Sequence, residues 1–157
     1  MSYRRISGLV MLASAIACSG GESTGGLEAE RTFTVSLTAA EEVPAPKPTS
    51  ASGTAQVILY QSGIEFQLSA QNITGITMAH IHSGAPGVPG PIVVTLFLPG
   101  SPTGNVSGVF ATGTLTAANL PGGVTLESLK TLILSGNAYV NVHTSANPTG
   151  EIRGQLR

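Results

Sequence analysis

From about Glu30 onward the chain is a succession of short runs in which apolar and polar side chains alternate, each run broken by Gly, Pro or Asn. Phe33, Val35 and Leu37 alternate with Thr34, Ser36 and Thr38. A period of two turns successive side chains to opposite faces and predicts a strand with one face buried. Gly53–Tyr60 and Ile64–Ala70 lie on either side of Gln61-Ser62-Gly63, which predicts a hairpin. Thr77–His82, Ile92–Leu98, Val106–Thr116 (with a bend at Gly108 or Gly113), Ala138–Thr144 and Glu151–Arg157 supply the remaining strands. About eight short strands at fairly even spacing predict an all-β, antiparallel sandwich or barrel.

Two stretches depart from that period. Glu42–Ser52 carries Pro44, Pro46 and Pro48, which remove three backbone donors, so it must be loop. Thr125–Gly136 places Thr125 as N-cap, Glu127 in the first turn and Gly136 past the end, with Leu126, Leu129 and Ile133 on one face. That pattern predicts one short helix closing the sandwich.

The first residues do not belong to this body. Arg4 and Arg5 precede an apolar run over Ile6–Ala17, about a dozen residues and too short to span a bilayer. The run ends at Ala15-Ile16-Ala17-Cys18, small residues before the only cysteine. This segment resembles a bacterial lipoprotein signal, in which Cys18 would become the lipidated N-terminus. Ser19–Gly26 is a Gly/Ser-rich tether. The expected organisation is a signal over residues 1–17, a lipidated Cys18 and tether over 18–29, and a folded domain over 30–157.

With one cysteine no intrachain disulfide can form, so the fold must rest on its core. Without residues 1–17 the chain holds five basic against eight acidic residues, a net charge of −3, which gives no reason to expect nucleic acid as a partner. Every acidic residue is Glu. The absence of Asp excludes a Ser-His-Asp triad and weighs against calcium loops built on early Asp positions. No Gly-x-Ser-x-Gly elbow, phosphate loop or Cys-x-x-Cys occurs.

The remaining chemistry lies in Ala79–Gly90 and Tyr139–Gln155, which hold all three histidines. On the first strand His80 and His82 share one face and Ile81 takes the other; on the second, Asn141 and His143 share a face opposite Val140 and Val142. If those faces meet, three imidazoles converge. Neutral imidazoles suit copper, zinc or nickel, and three of them leave a coordination position open. The competing reading makes these rings structural, their N–H groups holding loop carbonyls. Glu151 and Arg153 share a face of the last strand, spaced to pair with each other or with the histidines. Strand parity makes Asn141 and Glu151 the nearest candidates to fix the ring tautomers in a second shell that also includes Arg153.

The sequence resembles a CHRD domain, the family named after chordin. The pieces are Glu42-Val43-Pro44, Gly53-Thr54-Ala55, Ala79-His80-Ile81-His82, Tyr139-Val140-Asn141-Val142-His143-Thr144 and Gly150-Glu151-Ile152-Arg153-Gly154-Gln155-Leu156. The resemblance implies an immunoglobulin-like, superoxide-dismutase-like sandwich and no settled activity. The histidine order is also similar to that of copper–zinc superoxide dismutase, although a bridging fourth histidine and a zinc-binding aspartate are missing. The expected function is that of an exported, lipid-anchored, non-catalytic binding or structural module at the cell envelope, in the outer membrane if the host has one, with a protein or envelope partner. The alternative is a copper-binding domain using His80, His82 and His143.

Overall fold

The structure, a computed structural model, describes residues 28–157. The expected signal, Cys18 and the tether as far as residue 27 lie outside the described residues. Eight strands follow in order: β1 (Ala29–Thr38), β2 (Ser52–Tyr60), β3 (Gly63–Thr74), β4 (Ile76–Ser83), β5 (Ile92–Phe97), β6 (Asn105–Leu115), β7 (Ala138–Thr144) and β8 (Ile152–Leu156). One helix, α1 (Leu126–Leu134), precedes β7. All pairings are antiparallel, in the order β5-β4-β7-β8-β1-β2-β3-β6.

That continuous eight-stranded sheet narrows at one point. β8 and β1 are joined through one residue pair, Thr38 and Arg153, whereas β1 and β2 run together from end to end. The ladder therefore turns a corner at β8 and β1, and β5-β4-β7-β8 folds over β1-β2-β3-β6. At the opposite seam β5 approaches β6, where the rings of Phe97 and Phe110 meet edge to face at 5.3 Å. The result is a nearly closed all-β sandwich, as the alternation predicted.

The inner faces supply one core: Ala55, Val57 and Leu59 from β2, Ile64, Leu68 and Ala70 from β3, Ala79 and Ile81 from β4, Val140 and Val142 from β7. Thr125 caps α1, its hydroxyl accepting from the Ser128 amide while Ser128 Oγ accepts from the Thr125 amide. Leu129 and Ile133 are fully buried beneath the helix. Lys130 is buried too, its ammonium donating to Glu30 Oε2 at 3.2 Å and to the Gln61 carbonyl at 3.1 Å. These bonds hold the helix over the end of the sandwich where β1 begins and β2 turns into β3.

The corner depends on glycine. A Cβ on Gly154 would stand 2.3 Å from the Ser36 carbonyl oxygen and 2.9 Å from Leu37 Cδ2. Backbone cannot yield as a side-chain tip can, so Gly154→Ala is expected to lower stability by about 1–3 kcal/mol, the usual range for overpacking. Equal denaturant midpoints for variant and parent would show that the corner can open without cost.

Every residue of β7 and β8 is buried. Both faces of these strands are therefore covered, the inner one by the core and the outer one by loops. The functional residues lie on that outer face.

Candidate metal centre

The register of β4 against β7 brings the two histidine segments side by side. Met78 pairs with His143, His80 with Asn141 and His82 with Tyr139. Paired residues of antiparallel strands share a face. On the far side of β7, Asn141 pairs with Arg153 and Tyr139 with Gln155. One patch of the outer face thus collects His80, His82, His143, Asn141, Tyr139, Arg153 and Gln155.

Loops seal this patch. His80, His82 and His143 are only 3 %, 8 % and 7 % exposed. The segment between β4 and β5 is strapped down by side chains from beneath: Arg153 Nη2 donates to the carbonyls of Ala85 and Val88, and Gln155 Nε2 donates to that of Gly84. The Gly90 amide donates to the Tyr139 hydroxyl. Gly90 is required here, since a Cβ on it would fall 1.6 Å from the Ser83 carbonyl oxygen. Beneath the strap the Tyr139 ring is sandwiched between His82, stacked at 4.9 Å, and the guanidinium of Arg153, 3.4 Å above its other side.

The three rings converge. One ligating nitrogen from each lies within 4.8 Å of those from the other two. His82 Nδ1 lies 2.8 Å from the Gly90 carbonyl and His143 Nδ1 lies 2.9 Å from the Pro148 carbonyl. A carbonyl can only accept, so both Nδ1 atoms carry hydrogen and both Nε2 atoms present bare lone pairs. His80 Nδ1 faces His143 Nε2 at 3.2 Å and donates to it in the metal-free protein. A shift of that hydrogen to His80 Nε2, the other neutral tautomer, would leave His80 Nδ1, His82 Nε2 and His143 Nε2 free to ligate together. Imidazole ligation at about 2.0–2.1 Å in tetrahedral or trigonal geometry holds two nitrogens about 3.4–3.6 Å apart, so the widest pair needs to close by about 1.3 Å.

Electrostatics keep the trio neutral. Burial, aided by the neighbouring His143 and His82, pushes the His80 imidazole down to about 4. Burial likewise lowers His82 against the raising effect of the Gly90 carbonyl, with the Arg153 charge adding to the fall. Burial lowers His143 against the Pro148 carbonyl. A site that resists protonation is one in which metal ions meet little competition from protons.

The charged side chains at the last strand find other partners than their spacing suggested. Arg153 Nη2 is engaged by loop carbonyls and by Gln155 Oε1, and the one ion pair among the described residues is Lys130 with Glu30. Glu151 pairs neither with Arg153 nor with a histidine. Its carboxylate accepts from Thr49 Oγ1 and Thr144 Oγ1, tying the β1–β2 loop to the end of β7. Those two hydroxyls occupy the carboxylate at this end of the strand and leave it for neither Arg153 nor a histidine. The ring tautomers are set instead by the backbone carbonyls of Gly90 and Pro148.

A second carboxyl, not singled out as a site residue by the sequence, borders the patch. Glu42 is buried beside Asn141 and Gly150, and a Cβ on Gly150 would stand 2.5 Å from Glu42 Oε1. Burial pushes its carboxyl up to about 7, against the opposing influence of Arg153, the Asn141 amide and the Val43 backbone. Four buried polar atoms lack hydrogen-bond partners among the described residues: Glu42 Oε1, His82 Nε2, Asn141 Oδ1 and Arg153 Nη1. All four belong to residues of this patch. Buried polar groups are nearly always satisfied, and such a concentration marks a place built for something else.

A family model for the CHRD domain matches residues 33–156, from the inner face of β1 to the end of β8. The chain belongs to the CHRD domain family. No curated protein and no solved structure matches it. The match spans every residue of the patch, Glu42 included, so the histidine centre lies wholly inside the CHRD domain.

Proposed function

We propose that this chain is an exported CHRD domain, anchored to the cell envelope through a lipidated Cys18, whose binding function is to hold one copper ion through His80, His82 and His143. The observation that carries the reading is the convergence of three imidazole nitrogens, two of them turned inward by hydrogen bonds from their other nitrogen to backbone carbonyls. Partners of that kind on the non-ligating nitrogen fix the tautomer and orientation of metal-bound histidines. Among divalent ions an imidazole site favours copper by the ordinary affinity order. The proposal concerns binding; a site does not by itself imply turnover.

Copper titration of the metal-free protein tests this. One equivalent should bind well below millimolar concentration, and magnetic resonance of the cupric form should show hyperfine splitting from several imidazole nitrogens. Binding only at millimolar copper would sink the proposal.

A second reading is favoured by the same two ring-to-carbonyl bonds: the histidines fasten the loops, and the domain serves as a structural or adhesive module for an envelope partner. It survives if copper fails to bind.

The anchor is tested separately. Cys18→Ala should release the protein from the membrane fraction or stall its processing, because stable attachment of a peripheral domain needs more than one acyl chain at the modified cysteine. Unchanged fractionation and unchanged mature mass would refute it.

A further inference from the structure

We infer that Asn141 is the fourth ligand of this centre, its carboxamide oxygen completing a set of three imidazole nitrogens and one oxygen. The inference rests on the copper reading above and adds a ligand that no histidine pattern contains.

Asn141 occupies the middle of the patch. It pairs directly with His80 across β4 and β7, and it shares a face with His143 two residues along the same strand. It is 3 % exposed, and its Oδ1 has no hydrogen-bond partner. The His82 ring adjoins the same amide, and His82 Nε2 has no partner either. Since His82 Nδ1 spends its hydrogen on the Gly90 carbonyl, Nε2 offers only a lone pair. With the ring in that tautomer and the amide oxygen turned toward it, two acceptors are buried side by side, neither with a well-formed hydrogen bond. A cation is the occupant that satisfies both at once.

The amide is oriented from its other side. The Glu42 carboxyl adjoins the same amide, and a carboxylate can only accept, so it favours the orientation that faces it with Nδ2 and leaves Oδ1 for the histidines. Glu42 is itself seated in the space left by the missing side chain of Gly150. Glu42 is therefore a positioning residue and Asn141 the ligand. A hard oxygen beside three nitrogens suits cupric copper, whereas cuprous copper selects softer donors.

The test uses the full chain, loaded with copper, in variants whose folding is checked by circular dichroism. Asn141→Leu keeps the bulk and removes the oxygen. It should weaken cupric binding tenfold or more and alter the copper hyperfine coupling, while the imidazole nitrogen splitting persists. Asn141→Asp, made together with Glu42→Gln so that no second carboxylate faces it, keeps the shape and makes the oxygen anionic, so it should tighten cupric binding by a similar factor relative to Glu42→Gln alone. A purely structural asparagine behaves otherwise: an aspartate there would bury an unpaired charge and weaken the fold and the metal together. Weaker binding in the double variant than in Glu42→Gln alone, or cupric spectra of both Asn141 variants that superimpose on those of their parents, would overturn the inference while leaving the three-histidine site intact. A parent protein without nitrogen splitting would overturn the copper reading itself, and the assignment of Asn141 with it.

Discussion

His80→Ala should abolish tight copper binding at a modest cost in stability, whereas His143→Ala should lose copper and more of the stability. The difference follows from what each ring touches. His143 gives its Nδ1 hydrogen to the Pro148 carbonyl and His82 gives its own to Gly90, so alanine at either position strands a part-buried acceptor. That costs about 1–3 kcal/mol in the absence of replacement water. His80 Nδ1 meets only His143 Nε2, and its burial among like groups is already unfavourable to its charged form. Its removal takes away a ligand and the donor to the His143 Nε2 lone pair, but strands no backbone carbonyl. Loss of outer-sphere partners alone typically lowers metal affinity by about 10–100-fold, so loss of one ligand in three should exceed about a hundredfold. Competition against a chelator gives the affinities, and denaturant midpoints of the metal-free proteins give the stabilities. If His80→Ala binds copper like the parent, the trio is not the site.

The metal-free Glu42→Gln variant should be more stable than the parent at pH 8 and lose that advantage near pH 5. The Glu42 carboxyl is raised from 4.5 to about 7 in the folded protein. The folded state therefore binds more protons between those values, and stability from this group is present below 4.5 and lost as pH rises through 7. By pH 8 the buried carboxylate costs on the order of 3 kcal/mol relative to the unfolded chain. Glutamine escapes that cost while keeping the shape. The histidines act in the opposite sense. His80 falls from 6.5 to about 4 on folding, so the unfolded chain binds more protons across that window and stability is lost as pH falls through it. Its share is also on the order of 3 kcal/mol. His82 and His143, also lowered by burial, act in the same sense as His80, so in the parent Glu42 offsets only part of the acid sensitivity between about pH 4.5 and 6.5. Glu42→Gln removes that offset and should be more steeply acid-sensitive. Denaturant midpoints at pH 5 and pH 8 decide the matter: an equal difference between variant and parent at both would mean that Glu42 does not change its charge on folding.

Much of this molecule can be read from local pattern. Alternation placed Phe33 and Leu37 inward, split Ile81 from His80 and His82, and set Asn141 and His143 opposite Val140 and Val142. The Thr125 cap and the terminal Gly136, found at φ +71°, bracketed the helix to within a residue or two. These features are legible because side-chain direction in a strand and the unpaired amides at a helix end are set by neighbours in sequence.

Other features depend on chain segments that are distant in sequence. Lys130 lay on a helix whose pattern marked only Leu126, Leu129 and Ile133 as its buried face, yet it is buried, because Glu30 and the Gln61 carbonyl arrive from a hundred and from sixty-nine residues away. Glu151 pairs with neither Arg153 nor a histidine, because Thr49 arrives from a hundred and two residues away and Thr144 from the neighbouring strand to take its carboxylate.

The centre shows the same division. Its residue types and their shared face were present in the sequence of two strands. The register of β4 on β7, the carbonyls of Gly90 and Pro148 that choose each ring's free nitrogen, and the seating of Glu42 against Gly150 were not. Alternation assigns a side chain to a face, but only tertiary packing decides which loop covers that face and which atoms it leaves without partners.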